Sequence, residues 1–137
     1  MQHDAQRLRD TAAWIRRAAL DLRAAEVDLA TDPALLGDAA FHCQQAAEKA
    51  LKGLLTWHDA PFRRTHDLVE IGRQCSSLDI SIESTCRCAE RLTVYAWTFR
   101  YPGVVEEPSR EEVEDALVLA REVYEAVLSR LPAEVRP

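Results

Sequence analysis

The stretch Ala40-Phe41-His42-Cys43-Gln44-Gln45-Ala46-Ala47-Glu48-Lys49-Ala50-Leu51-Lys52-Gly53-Leu54-Leu55-Thr56-Trp57 decides the fold. Ala40, Cys43, Ala47, Ala50, Leu54 and Trp57 recur at alternating spacings of three and four, which is the period of an amphipathic helix and not the alternation of a strand. Gln44, Gln45, Glu48, Lys49 and Lys52 fall mostly on the other side, so an exposed polar face is expected there. The apolar seam is built from small residues, which let helix backbones approach closely. The helix is therefore expected to be central, within a bundle or in a symmetric contact between subunits.

Upstream, Leu8, Ala12, Ile15, Ala19, Leu22, Ala25 and Leu29 repeat at the same period and define a first long helix. Thr31-Asp32-Pro33 reads as a stop and a restart, with Asp32 as N-cap and Pro33 in the first helical position. Downstream, Asp59-Ala60-Pro61 ends the central helix, and Thr65 is placed to cap a short helix holding Leu68, Val69 and Ile71. A fourth helix is expected from about Ile82, carrying Cys86, Ala89, Thr93 and Ala96, until Pro102-Gly103 stops it. Ser109 to Glu112 has the form of a capping box. It opens a fifth helix whose apolar face runs through Val113, Ala116, Leu117, Ala120, Val123, Val127 and Leu131. The expected fold is all-α, an up-and-down bundle of four long helices plus one short one. It forms a single domain over residues 1–137 with its core at about 5–131.

Three segments in this order resemble the HEPN family: Phe41 to Leu55, then Thr65-His66-Asp67-Leu68, then Phe99-Arg100-Tyr101-Pro102. The resemblance implies a helical bundle that commonly forms homodimers, is often encoded beside a minimal nucleotidyltransferase as a toxin–antitoxin-like pair, and serves nucleotide or RNA biology. Many relatives are metal-independent ribonucleases with an Arg-x4-6-His motif, in which arginine stabilises phosphate charge and histidine moves a proton. His42, His58 and His66 have no arginine five to seven positions upstream, and no histidine follows Arg91 or Arg100. The reading is therefore a dimeric nucleotide- or RNA-binding or regulatory module. A divergent endoribonuclease toxin and a purely structural dimerisation bundle are the alternatives.

The net charge of -6 gives no global field for a polyanion, so a nucleic-acid contact needs a local basic patch. Arg64 and His66, with Arg100 and Tyr101, are the candidates for anion or nucleotide contact. The arginines would bind phosphate and Tyr101 would stack on a base. Each group also reads as solvated loop charge or helix-end packing. Lys49 and Lys52, the only lysines, are candidates for phosphate contact or members of the exposed polar face. Arg87, Arg91 and Tyr95, four apart, share one helical face. Trp14, Trp57 and Trp97 read as core or interface anchors. Cys86-x-Cys88 is too short for a zinc half-site and the histidines lack paired ligand spacing, so neither metal nor cofactor is expected. The four cysteines read as packed thiols. With no apolar leader or span, a cytoplasmic protein without membrane attachment is expected.

Overall fold

Helix α1 (Gln2–Ala30) runs into α2 (Leu36–Trp57) through a five-residue turn, so the two pack side by side and antiparallel along most of their length. A computed structural model describes residues 2–99, 101–103 and 106–137 of the chain. The Asp32-Pro33 pair does not start α2. The Thr31 hydroxyl donates to the Asp28 carbonyl at 2.8 Å and the Leu35 amide donates to the same oxygen at 2.9 Å, which closes the turn and delays the helix to Leu36.

Helix α3 (Leu68–Leu78) and the short α4 (Glu83–Ala89) pack on each other, and α5 (Arg110–Leu128) packs against α2, α4 and α1. No strand occurs among the described residues. The cap of α3 is Asp67, whose carboxylate accepts from the Val69 amide at 2.9 Å; Thr65 Oγ1 accepts from the Asp67 amide one step earlier. At α5, Ser109 Oγ accepts from the Glu112 amide at 3.0 Å, as a capping box requires. The Glu112 carboxylate is instead engaged by the Tyr95 hydroxyl at 2.5 Å, so the reciprocal half of the box is given up to a tertiary contact.

The fourth helical segment differs most from its expected form. After α4 the chain tightens into a 3-10 helix over Glu90–Ala96 and stops at Trp97. Thr93 and Val94 are β-branched and lower the α-helical preference there. At about three residues per turn, positions four apart no longer share a face. Arg87 and Arg91 are exposed, and Arg87 pairs with Glu83 at 3.1 Å, whereas Tyr95 turns into the core. The anticipated Arg87-Arg91-Tyr95 surface is therefore not formed.

Helix α2 is the axis of the bundle, with Ala39, Ala40, Ala46, Ala47, Ala50, Leu51, Leu54 and Leu55 fully buried. Its supposed polar face is buried as well: Gln44, Gln45, Glu48 and Lys52 are each less than 9% exposed. The 3.6-residue period placed these side chains correctly on one side. It could not show that α1, α3 and the Pro61–Asp67 loop cover that side too. Gly53 permits a close approach of α1, since a Cβ there would stand 2.9 Å from Ile15 Cδ1. Trp14 and Trp57 are half-buried, and Trp97 is exposed. Cys43, Cys75 and Cys86 are packed thiols, while Cys88 is exposed.

Candidate functional site

Glu48 sits in the middle of α2 and is almost wholly buried, yet its carboxylate is satisfied on both oxygens. Oε2 accepts from Lys52 Nζ at 3.0 Å, one helical turn on. Oε1 lies 2.7 Å from His66 Nδ1 and 3.1 Å from the Gln44 amide nitrogen. Gln44 also donates to the His66 carbonyl at 3.1 Å, and Gln45 donates to Gln44 Oε1 at 2.7 Å. Positions 44, 48 and 52 follow the four-residue helical step, so one ridge of α2 carries a connected polar chain.

The chain of contacts reaches the surface at His66, whose side chain is 60% exposed. A carboxylate only accepts, so Nδ1 is the nitrogen that carries hydrogen, and Nε2 is left with its lone pair or a second proton. This fixes the ring and leaves Nε2 free to meet a ligand. Two residues earlier, Arg64 is exposed and forms no ion pair among the described residues. Arg63 is held by both carboxylate oxygens of Glu70, at 2.7 and 2.9 Å.

Neither lysine belongs to this outer rim. Lys52 lies inward, over the Trp14 ring at 5.6 Å and the neighbouring Phe62 ring at 5.7 Å, where the aromatic faces favour its charge. Lys49 points to α1 and donates to Asp21 Oδ2 at 2.7 Å. Both ammonium groups are thus engaged inside the fold. The four-residue step from Glu48 to Lys52 was legible in the sequence; the burial of that pair, and Asp21 as the partner of Lys49, became evident only with the helices packed.

Phe99 lies beside the start of α2. A Cβ on Gly37 would meet Phe99 Cβ at 3.0 Å, and Phe99 stacks on Tyr95 with centroids 5.9 Å apart. Gly37 and Glu48 are eleven positions apart, or about 16 Å of helix rise, so Phe99 stands well away from the Glu48–His66 contact. Tyr101 is 67% exposed. Arg100 lies outside the described residues.

Around the α1–α2 turn, sequence spacing missed a second polar group. His42 Nδ1 lies 2.8 Å from Asp21 Oδ1, and its Nε2 lies 3.4 Å from Asp38 Oδ2. The Asp21 hydrogen bond raises the His42 pKa above its usual value; burial opposes this, and Asp38 and Asp28 add to it. Burial, reinforced by Asp38, raises the Asp28 carboxyl to about 6. The one signal available earlier was the four-residue step from Asp38 to His42.

The first two family-like segments lie at the α2 ridge and the α3 cap, and Phe99 of the third stands beside the first turn of α2. The HEPN domain family profile matches residues 11–131, a span that holds α2 to α5 and most of α1. The chain belongs to the HEPN family. Among solved structures, that of TT1696 from Thermus thermophilus is similar, with 29% sequence identity and a TM-score of 0.73 over 91% of this chain and 98% of that one. No curated protein matches the chain. HEPN membership supports a nucleotide- or RNA-binding or ribonuclease-type module. No helix among the described residues is long and apolar enough to cross a membrane.

Proposed function

We propose that this HEPN domain is a cytoplasmic nucleotide- or RNA-binding module that meets phosphate at Arg64 and His66. In this reading it works as a homodimer and is regulated by, or regulates, a minimal nucleotidyltransferase in a toxin–antitoxin-like pair. The observation that carries the phosphate contact is the exposed His66 ring, held on Nδ1 by buried Glu48 and flanked by Arg64. When Nε2 carries the second proton, the fixed ring becomes a donor beside an uncommitted guanidinium and suits a phosphate oxygen, because the charge-assisted bonds need little reordering. Arg100 and exposed Tyr101 are proposed as a further phosphate donor and a stacking face for a base.

Calorimetry with nucleotides and a short RNA tests the proposal. Arg64→Ala and Arg100→Ala should each weaken binding by roughly 1 to 3 kcal/mol. Tyr101→Ala should matter more than Tyr101→Phe, and added salt should weaken binding. Unchanged affinity in Arg64→Ala, His66→Ala and Arg100→Ala would reject the site.

The same Glu48–His66 contact favours a second reading, a divergent metal-independent endoribonuclease. A carboxylate-oriented imidazole with a free Nε2 is the arrangement of a general acid or base. Cleavage of RNA in chelator that disappears in His66→Ala and Glu48→Gln, with helicity retained, would establish it over binding alone.

A further inference from the structure

Where α1 turns into α2, one carboxylate oxygen each from Asp28 and Asp38 and a ring nitrogen of His42 lie within 4.8 Å of one another. Asp28 stands in the last turn of α1, while Asp38 and His42 are one turn apart at the start of α2. Asp28 is 8% exposed, and its Oδ2 is enclosed with no hydrogen-bond donor against it. A carboxylate oxygen in that position calls for a proton or a cation.

Asp21 sets the tautomer of the neutral His42 ring. Its carboxylate already accepts from Lys49 and lies 2.8 Å from His42 Nδ1, so Nδ1 carries the hydrogen and the lone pair of the neutral ring is on Nε2, on the Asp38 side. A carboxylate behind the outer nitrogen of an imidazole is the usual support of a metal-binding histidine. Two ligand atoms about 2.1 Å from a zinc ion at the tetrahedral angle stand about 3.4 Å apart, and His42 Nε2 and Asp38 Oδ2 are separated by 3.4 Å. The widest separation, 4.8 Å at most, closes to that edge by a movement of at most about 1.4 Å. A cavity of about 350 Å³, lined by Leu35, Gly37, Asp38, Phe99 and Glu107, adjoins the site on the Asp38 side.

We propose that Asp28, Asp38 and His42 Nε2 form a binding site for a divalent transition cation, best fitted by Zn²⁺, with Asp21 as the positioning residue on His42. Two carboxylate oxygens and one imidazole suit zinc better than magnesium, which prefers an all-oxygen shell. The site is separate from the Glu48–His66 contact and does not depend on the function proposed for it.

The test is titration of the intact, metal-stripped chain with ZnCl2, read by calorimetry and by thermal unfolding. One Zn²⁺ per chain and a rise in Tm are expected. Asp28→Asn and His42→Gln should each abolish the one-to-one binding and the Tm rise, and Asp21→Asn should weaken binding by about 10- to 100-fold. Circular dichroism separates loss of the site from loss of fold, and Asp28→Asn is nearly isosteric. Substitution with Co²⁺ should give visible bands without the near-ultraviolet charge-transfer band of a thiolate. No saturable Zn²⁺ binding would overturn the site and leave a shared proton between Asp28 and Asp38. Binding retained in both Asp28→Asn and His42→Gln, or a thiolate band pointing to cysteine, would overturn it equally.

Discussion

Glu48 Oε1 lies 2.7 Å from His66 Nδ1, which joins the buried middle of α2 to an imidazole that is 60% exposed. Because Oε2 of the same carboxylate holds Lys52, the orientation of a surface ring depends on an ion pair inside the bundle.

Removing that carboxylate should therefore be costly. Glu48→Ala leaves the buried Lys52 ammonium unpaired, and losing one partner of a buried pair typically costs about 3 to 5 kcal/mol. The double change Glu48→Leu with Lys52→Met should restore much of the loss, since no charge then remains uncompensated. Urea unfolding of the three proteins decides this. A loss below about 1 kcal/mol, the range of exposed pairs, would contradict the pair's buried character.

Gly53→Ala should destabilise the α1–α2 contact. The new methyl would stand 2.9 Å from Ile15 Cδ1 and 3.3 Å from Trp14 Cβ, and overpacking of this kind costs about 1 to 3 kcal/mol. Helix preference for alanine returns up to about 1 kcal/mol. A net fall in Tm is expected, and an increase would show that Ile15 can move aside freely.

Tyr95 gives the alkaline limit of the fold. Burial first, then its hydrogen bond to Glu112, raises the phenol pKa well above the ordinary value. A neutral phenol favoured in the folded state contributes stability that is whole below the unfolded pKa of about 10 and is lost as pH rises above it. Urea midpoints measured from pH 9 to 11 should fall more steeply for the natural chain than for Tyr95→Phe. Parallel curves would show that Tyr95 ionises as readily folded as unfolded.

Homodimerisation is expected from HEPN membership, but its contact must lie outside the alanine seam of α2, which α1 and α5 already cover. Light scattering at micromolar concentration should give twice the 15.5 kDa chain mass. A mass of one chain at every concentration would remove the dimer from the proposal.

The sequence by itself determined the helical class, the five helical segments and the apolar faces of α1 and α5. Those features follow from a period of 3.6 residues and from local breakers, and both act within a few positions. It also offered His66, through motif order, and Arg64, through the local basic group, as candidates for anion contact. What it could not determine is which polar residues of α2 are buried, because periodicity describes one helix and burial depends on how many neighbours cover it. Tertiary packing decided that the Glu48–Lys52 pair is buried and that Lys49 belongs to Asp21. It drew Glu112 away from its capping role and gathered Asp28, Asp38 and His42 at one turn. Each of these contacts joins groups whose pairing is set by the low dielectric and close geometry of the packed interior, a condition that exists only once the helices have met.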